Sequence, residues 1–529
     1  MFKSIFLTVG LATLALAPMA QADFDGPAPL AWRWVQPTSA RVSGSPVVVG
    51  DTVLVAVGNR IFALDRATGN QKWKYPNVDP IDGNFLTQPS VTGDTIVATA
   101  DNRKAYGINL KDGTEKWVYR ADQPIRGGAA LTGKYAVIAQ NNNTLMALDP
   151  ATGAPAWDRP VTMLYGISGN IVPYRDDVLV MDNNFELVSI STTTQKPNWT
   201  AKFTSLDPTS VPVVQGDRII INSGQYLTTI NGATGRAIWQ QPLQTIARTP
   251  PTVSGDGVFL VDQDGKGTYY NSSGRLLTKQ PFDIGTWPIS GGTAAGKNFI
   301  IPGTNGSINM VDPSTGKLLW SYLIRPIGVL FDSAGEAASG GQSGTGGGKL
   351  GGGQTTTKKD TKQRIWTIQP AGAPVVTGDT LLVLAKDGSL LAFDKNTGVD
   401  LTGPAVDMIW PQIGDQVSGD RLEVYFRLGD EASGLNQSTL SITVDGAPLD
   451  YTLGRDGIAL VRFSTLSQKN KPLSNGRKVF TVTATDWLGN TTKSDYVLNI
   501  DNSLPPRAAP PQSTGDKGSG FSGGPSGGR

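Results

Sequence analysis

Two residue types are missing from this chain of 529 residues: it contains no cysteine and no histidine. Without cysteine there is no disulfide, no thiol nucleophile, no thiolate zinc site and no lipid-modified N-terminal Cys. Without histidine the commonest general base and metal ligand is gone, which excludes a Ser-His-Asp triad and any imidazole-held metal. Charge is sparse as well, at 17% against roughly 25% in an average soluble protein. The 46 basic and 44 acidic residues leave a formal +2, so no strongly basic surface argues for nucleic acid. After the N-terminal segment, no run reaches the ~18 uninterrupted apolar residues of a membrane-spanning helix. Chemistry is left to Asp, Glu, Lys, Tyr, Ser and Thr.

What the chain does have is glycine (64) and proline (35) in number, together with 39% hydrophobic residues. That composition describes a folded, turn-rich protein. Its first residues read as an export signal. Lys3 supplies a basic start, Ile5 to Leu16 is mostly apolar, and Ala20-Gln21-Ala22 is a small-x-small cleavage site. Residues 1–22 are therefore expected to be a signal peptide.

One pattern then recurs along the chain: an apolar run, Gly-Asp, a second run, a polar turn, a third run ending in Asp, then Thr-Gly and a Trp. The first copy has Gly50-Asp51, Thr52 to Val57, Ile61 to Asp65, Thr68-Gly69 and Trp73. The turn glycines Gly69, Gly113, Gly153, Gly235, Gly274 and Gly316 are spaced by 44, 40, 82, 39 and 42 residues. The doubled interval holds a degenerate copy with Thr192 to Thr194 and Trp199. In five copies the Trp follows the glycine by four residues: Trp73, Trp117, Trp157, Trp239 and Trp320. The sixth copy has Thr278 at that position, and the eighth, with Gly378-Asp379 and Thr397-Gly398, has Thr402. Short β-branched runs at a period near 41 are the mark of a β-propeller blade. The recurring Trp is expected to pack against the neighbouring blade. The eighth copy lacks a Trp-bearing fourth strand, while Leu30-Ala-Trp32-Arg-Trp34 precedes the first copy as an orphan. Pairing the two would close the ring and remove both open edges.

The motif Ala63-Leu-Asp65-Arg-Ala-Thr68-Gly69-Asn-Gln-Lys-Trp73 resembles the pyrroloquinoline quinone (PQQ)-like propeller family. The likeness covers roughly seventy per cent of the chain. It implies an all-β fold, here an eight-bladed β-propeller over residues 23–404. The family includes quinone-dependent dehydrogenases and non-catalytic scaffolds, among them the outer-membrane β-barrel assembly scaffold. A dehydrogenase of this kind would need a catalytic Asp, a calcium shell and, in one branch, a vicinal disulfide that this chain cannot make.

The repeat has one interruption and one sequel. Residues 333–362 contain ten glycines in thirty positions and read as a flexible insertion. After Pro404 the period stops, and alternating segments such as Leu422 to Phe426, Lys478 to Thr483 and Tyr496 to Ile500 read as sandwich strands. Asp430-Glu-Ala-Ser-Gly434 and Ala484-Thr-Asp486-Trp-Leu-Gly-Asn490 resemble the loops of bacterial immunoglobulin-like domains, so residues 405–502 are expected to form such a β-sandwich. The tail, residues 503–529, is expected to be disordered.

No catalytic, cofactor-binding or metal-binding residue is assigned from the sequence. Asp65, Asp149, Asp312 and Asp394 occupy one repeated corner, which is a structural pattern. Asp262-Gln-Asp264-Gly265 starts like a calcium loop but has Ser273 where the closing Glu belongs. Asp182 to Glu186 and Asn141 to Asn143 sit at equivalent turns, and Asp430, Glu431 and Asp486 are candidates for calcium in the second domain. The expected function is an exported, non-catalytic scaffold that binds envelope or surface proteins without a cofactor, nucleic acid or a membrane anchor. The expected location is the periplasm or the cell surface. A PQQ-dependent dehydrogenase and an extracellular carbohydrate or adhesion binder are the alternatives.

Overall fold

The computed structural model describes residues 24–36, 42, 44–141, 143–255, 257–327, 367–454 and 456–507. The expected signal peptide, the glycine-rich insertion and most of the tail lie outside them. Among the described residues the fold is all-β, and eight four-stranded antiparallel sheets follow one another as propeller blades. Blade one comprises Val47–Val49, Thr52–Val57, Arg60–Asp65 and Gln71–Tyr75. Blade seven comprises Thr293–Ala295, Asn298–Pro302, Ser307–Val311 and Leu318–Leu323.

Strand character follows position in the blade. Second and third strands, such as Thr52–Val57 and Thr144–Leu148, are buried along nearly their whole length. Each is covered on both faces by neighbouring blades, so its sequence is continuously apolar instead of alternating. First strands meet those of the next blade and form the inner ring, as Thr252–Ser254 meets Thr293–Ala295 and that strand meets Val375–Thr377. Fourth strands such as Pro197–Lys202 alternate exposed and half-buried residues on the rim.

The ring is closed by the orphan strand. Leu30–Trp34 pairs antiparallel with Leu390–Asp394 of blade eight, with Leu30 opposite Phe393 and Trp34 opposite Leu390. Both edges that an open ring would present are thereby consumed.

Two further sheets follow. One orders Ala405–Trp410, Glu423–Gly429, Ile458–Arg462 and Thr452–Leu453; the other orders Gln416–Val417, Thr491–Ile500, Gly476–Asp486, Leu435–Val444 and Ala447–Pro448. They enclose one core, in which Val424 and Phe426 of the first sheet pack with Ile442, Phe480 and Val482 of the second. This is a β-sandwich. The tail acquires contacts earlier than expected: Arg507 stacks over the Trp410 ring at 4.5 Å and pairs with Asp415 at 3.4 Å.

Candidate functional site

The repeated acidic corners come first, because they hold most of the carboxylates on which chemistry could draw. Asp65 Oδ1 accepts hydrogen bonds from the Ala67 and Thr68 amides at 3.1 and 3.0 Å, and from the Thr68 hydroxyl at 2.9 Å. Asp149, Asp312 and Asp394 do the same for their own corners. The hydrogen bond from Thr68 holds the Asp65 carboxyl below its ordinary range. Burial pushes Asp312 the other way, but the bonds from Ser314 and Thr315 outweigh it, and it too lies low. Asp65 and Asp312 therefore stay ionised, and all four carboxylates are occupied by their own turns.

The calcium-like stretches behave likewise. Asp262 Oδ1 accepts the Asp264 and Lys266 amides, both at 2.9 Å, and Asp182 Oδ1 accepts those of Asn184 and Glu186, both at 2.9 Å. Both are hairpin turns between second and third strands. Asn143, at the corresponding turn of blade three, adopts a φ of 64°, and its amide donates to the Gln140 carbonyl.

The recurring Trp residues join the blades. The indole N–H of Trp32, Trp73, Trp117, Trp157, Trp199 and Trp239 donates to Arg66, Leu110, Pro150, Thr192, Gly232 and Ser272 respectively, in each case a carbonyl at the corner of the next blade. The ring lies so close to the corner glycine that a Cβ on Gly153 would come within 2.4 Å of Trp117. Gly153 also has a φ of 72°, so both conformation and space demand glycine there. In the degenerate fourth copy Gln195 takes the glycine's place with a φ of 59°.

Two positions depart from the sequence reading. Trp157 precedes the fourth strand of blade three, Val161–Thr162, instead of lying in it. In blade six the residue facing the next corner is Phe282 and not Thr278; its ring lies 2.7 Å from where a Gly316 Cβ would stand.

The eighth junction is built differently. Trp320 is fully buried, and its indole donates to Ser433 of the sandwich at 2.7 Å. The Tyr322 hydroxyl donates to the Glu431 carbonyl at 2.9 Å, the Leu30 amide to Ala432 at 2.8 Å and the Trp487 indole to Ser321 at 3.1 Å. The loop that receives the first three, Asp430-Glu-Ala-Ser-Gly434, has the Asp-x-x-Ser/Thr-Gly spelling of a blade corner, with Asp430 Oδ1 accepting the amides of residues 432, 433 and 434. Of the candidates in this second region, Asp430 and Asp486 converge, joined by Asp400. The group does not include Glu431.

Two surfaces remain on which a ligand could act. A cavity of about 760 Å³ opens at the inner ring, lined by segments that enter blades five to seven, including Thr209, Arg248, Pro250 and Pro288, and by Ala373. Among the described lining residues Arg248 is the one ionisable group, and it faces Asp207 at 3.8 Å. Such a lining can hold a ligand but supplies no acid–base pair. The end of the ring where this cavity lies also carries the loops that link fourth to first strands and the turns between second and third strands. Hydrogen bonds such as Phe203 N–H to Phe185 and Leu243 N–H to Gln225 tie these loops and turns together. Large apolar side chains stand in solvent here: Leu164 is 83% exposed and Val78 79%, with Tyr165, Phe185, Ile246 and Ile327 also exposed. The opposite end has ion-paired turn residues such as Asp51 with Lys72 and Asp94 with Lys116. Val399 and Leu401, just past the corner of blade eight, are exposed at that opposite end too; large apolar side chains repeated over the loops of several blades mark an interaction surface more than a catalytic one.

Comparison with known proteins bears on the same reading. The family model described as outer membrane protein assembly factor BamB matches residues 29–226, 205–326 and 304–401. The chain is 21% identical over 289 residues to the outer membrane protein assembly factor BamB of Moranella endobia, covering 51% of this chain and 72% of that protein. It is 22% identical over 339 residues to the protein of the same name from Burkholderia pseudomallei, covering 59% of this chain and 84% of that one. The crystal structure of BamB from Moraxella catarrhalis aligns with a TM-score of 0.50 at 14% identity, covering 70% of this chain and 99% of that one.

Proposed function

Because the chain belongs to the outer membrane protein assembly factor BamB family, we propose that it is a non-catalytic propeller scaffold of the cell envelope. In this reading it is exported to the periplasm and holds a protein partner that serves outer-membrane assembly. The observation that carries the reading is the row of exposed apolar side chains on the loops at one end of the ring. Exposed Val78, Leu164, Tyr165 and Phe185 stand on the loops at one end, the end at which the segments lining the central cavity enter their blades. The repeated carboxylates are occupied in corners, and the cavity lining offers a single, paired guanidinium. A partner that buries the apolar loops gains the area-proportional hydrophobic term, and the rim keeps its ion pairs in water.

The test is positional. A photo-reactive residue at Leu164 should cross-link in cells to an outer-membrane assembly protein, and the same residue at Asp51, on the opposite end, should not. Equal adducts at both positions, or none at Leu164, would overturn the proposal. Protein supplied with pyrroloquinoline quinone and calcium should reduce no dye with alcohols or sugars; turnover would favour a dehydrogenase.

A further inference from the structure

Where the sandwich meets the end of the ring, three carboxylates from separate segments face one another. Asp400 lies on the stretch leaving blade eight, Asp430 opens the loop that receives Trp320, and Asp486 ends the strand Gly476–Asp486. One carboxylate oxygen from each lies within 4.8 Å of the other two. Asp486 is 1% exposed and Asp430 8%.

Turn chemistry accounts for part of each group only. Asp430 Oδ1 receives the loop amides, Asp486 Oδ1 receives those of Leu488 and Asn490 at 2.8 and 2.9 Å, and Asp400 Oδ1 receives that of Thr402 at 3.2 Å. The other oxygen of Asp400 is buried and has no hydrogen-bond partner. On the Asp430 loop the hydroxyl of Ser433, a residue with no exposed surface, also lacks one. A buried carboxylate oxygen without a donor is costly, and two more carboxylates beside it raise the cost. Burial, with Asp400 and Asp486 as like-charged neighbours, pushes the Asp430 carboxyl up to about 6.

We propose that Asp400, Asp430 and Asp486 bind a divalent cation, Ca²⁺, that fastens the sandwich to the ring. The donors are all oxygens, which selects a hard ion. Calcium accepts six to eight oxygens in a flexible geometry, whereas magnesium demands near-ideal octahedral ligation and gives up its waters reluctantly, so an all-carboxylate trio on three separate segments suits calcium better. The ion would join three segments at once: the exit from blade eight, the loop under Trp320, and the turn that carries Trp487. The Asn490 amide already bridges two of them, donating to the Asp400 carbonyl at 3.3 Å and to Asp486 Oδ2 at 2.7 Å.

The experiment uses the full chain, stripped with chelator and titrated with CaCl₂ by calorimetry and by thermal melting. One ion per chain and a saturable rise in melting temperature are expected. Asp400→Asn should lower the affinity at least about tenfold, as expected when a charged ligand is lost. Without calcium it should melt no lower than the unaltered protein, because it removes a repulsion. Asp262→Asn, at the calcium-like hairpin, should leave the response unchanged. Terbium gives an independent readout, since Trp487 adjoins Asp486: excitation of tryptophan should sensitise its emission, and calcium should quench that emission by displacement. No heat and no shift in the unaltered protein, or a calcium response that survives Asp400→Asn, would overturn the site.

Discussion

From blade eight through blade one to blade six, successive blades are joined by a local device, in which an indole N–H reaches the first carbonyl after the corner Asp or its Asn or Ser substitute. The junction after blade seven is joined by a composite one. There Trp320 packs edge-on against Phe24 from the N-terminal segment and Phe393 of blade eight, and its N–H goes to the sandwich. The local device needs only the repeat itself. The composite one needs both ends of the ring and the following sandwich at once, so a solenoid-like repeat is turned into a closed object at a single place.

Four variants separate these junctions, in decreasing order of effect. Deleting residues 24–36 removes Phe24, Trp32 and the closing strand together; the cooperative unfolding transition should be lost, with aggregation through the exposed edges, as followed by circular dichroism and light scattering. Trp320→Ala should lower stability by about 3–5 kcal/mol in chemical denaturation, as should Trp117→Ala. Only the first should also release the sandwich to limited proteolysis before the ring unfolds; equal proteolysis of both variants would erase the distinction drawn here. Gly153→Ala forces a Cβ towards Trp117 at a left-handed backbone position and should cost about 1–3 kcal/mol, read as a shifted denaturation midpoint.

Most of the ring was legible because its constraints are local and repeated. A glycine with positive φ under an indole leaves the same letters at each turn, and the closing strand was visible as a fourth strand without a blade. Blade six was misread because its corner is longer: Phe282 lies eight residues after Gly274 instead of four. Fixed spacing therefore pointed to Thr278, a buried residue that does not face the next corner. The composite junction was half legible. Asp430 to Gly434 repeats the corner spelling outside the periodic region, a signal passed over when the segment was read as an immunoglobulin-like loop. Asp400 carried no signal, since it belongs to no motif and gains its neighbours only when the sandwich folds back. The apolar loops were also invisible, because Val78, Leu164 and Phe185 are scattered singly through the sequence and come to the same end of the ring only when the blades stack.

Ring closure also has a temporal side. Leu30 pairs with Phe393, so the first strand must wait for some 360 further residues before its partner exists. Contacts of such sequence separation form late and slow the search for the native state. Until then Leu30–Trp34 and the first blades stand with bare edges, in the kind of species that associates wrongly at modest concentration. A chain delivered from its N-terminus is thus obliged to pass through a sticky interval whose length is set by the number of blades, and a helper that shields the waiting strand would act on yield without altering the finished molecule.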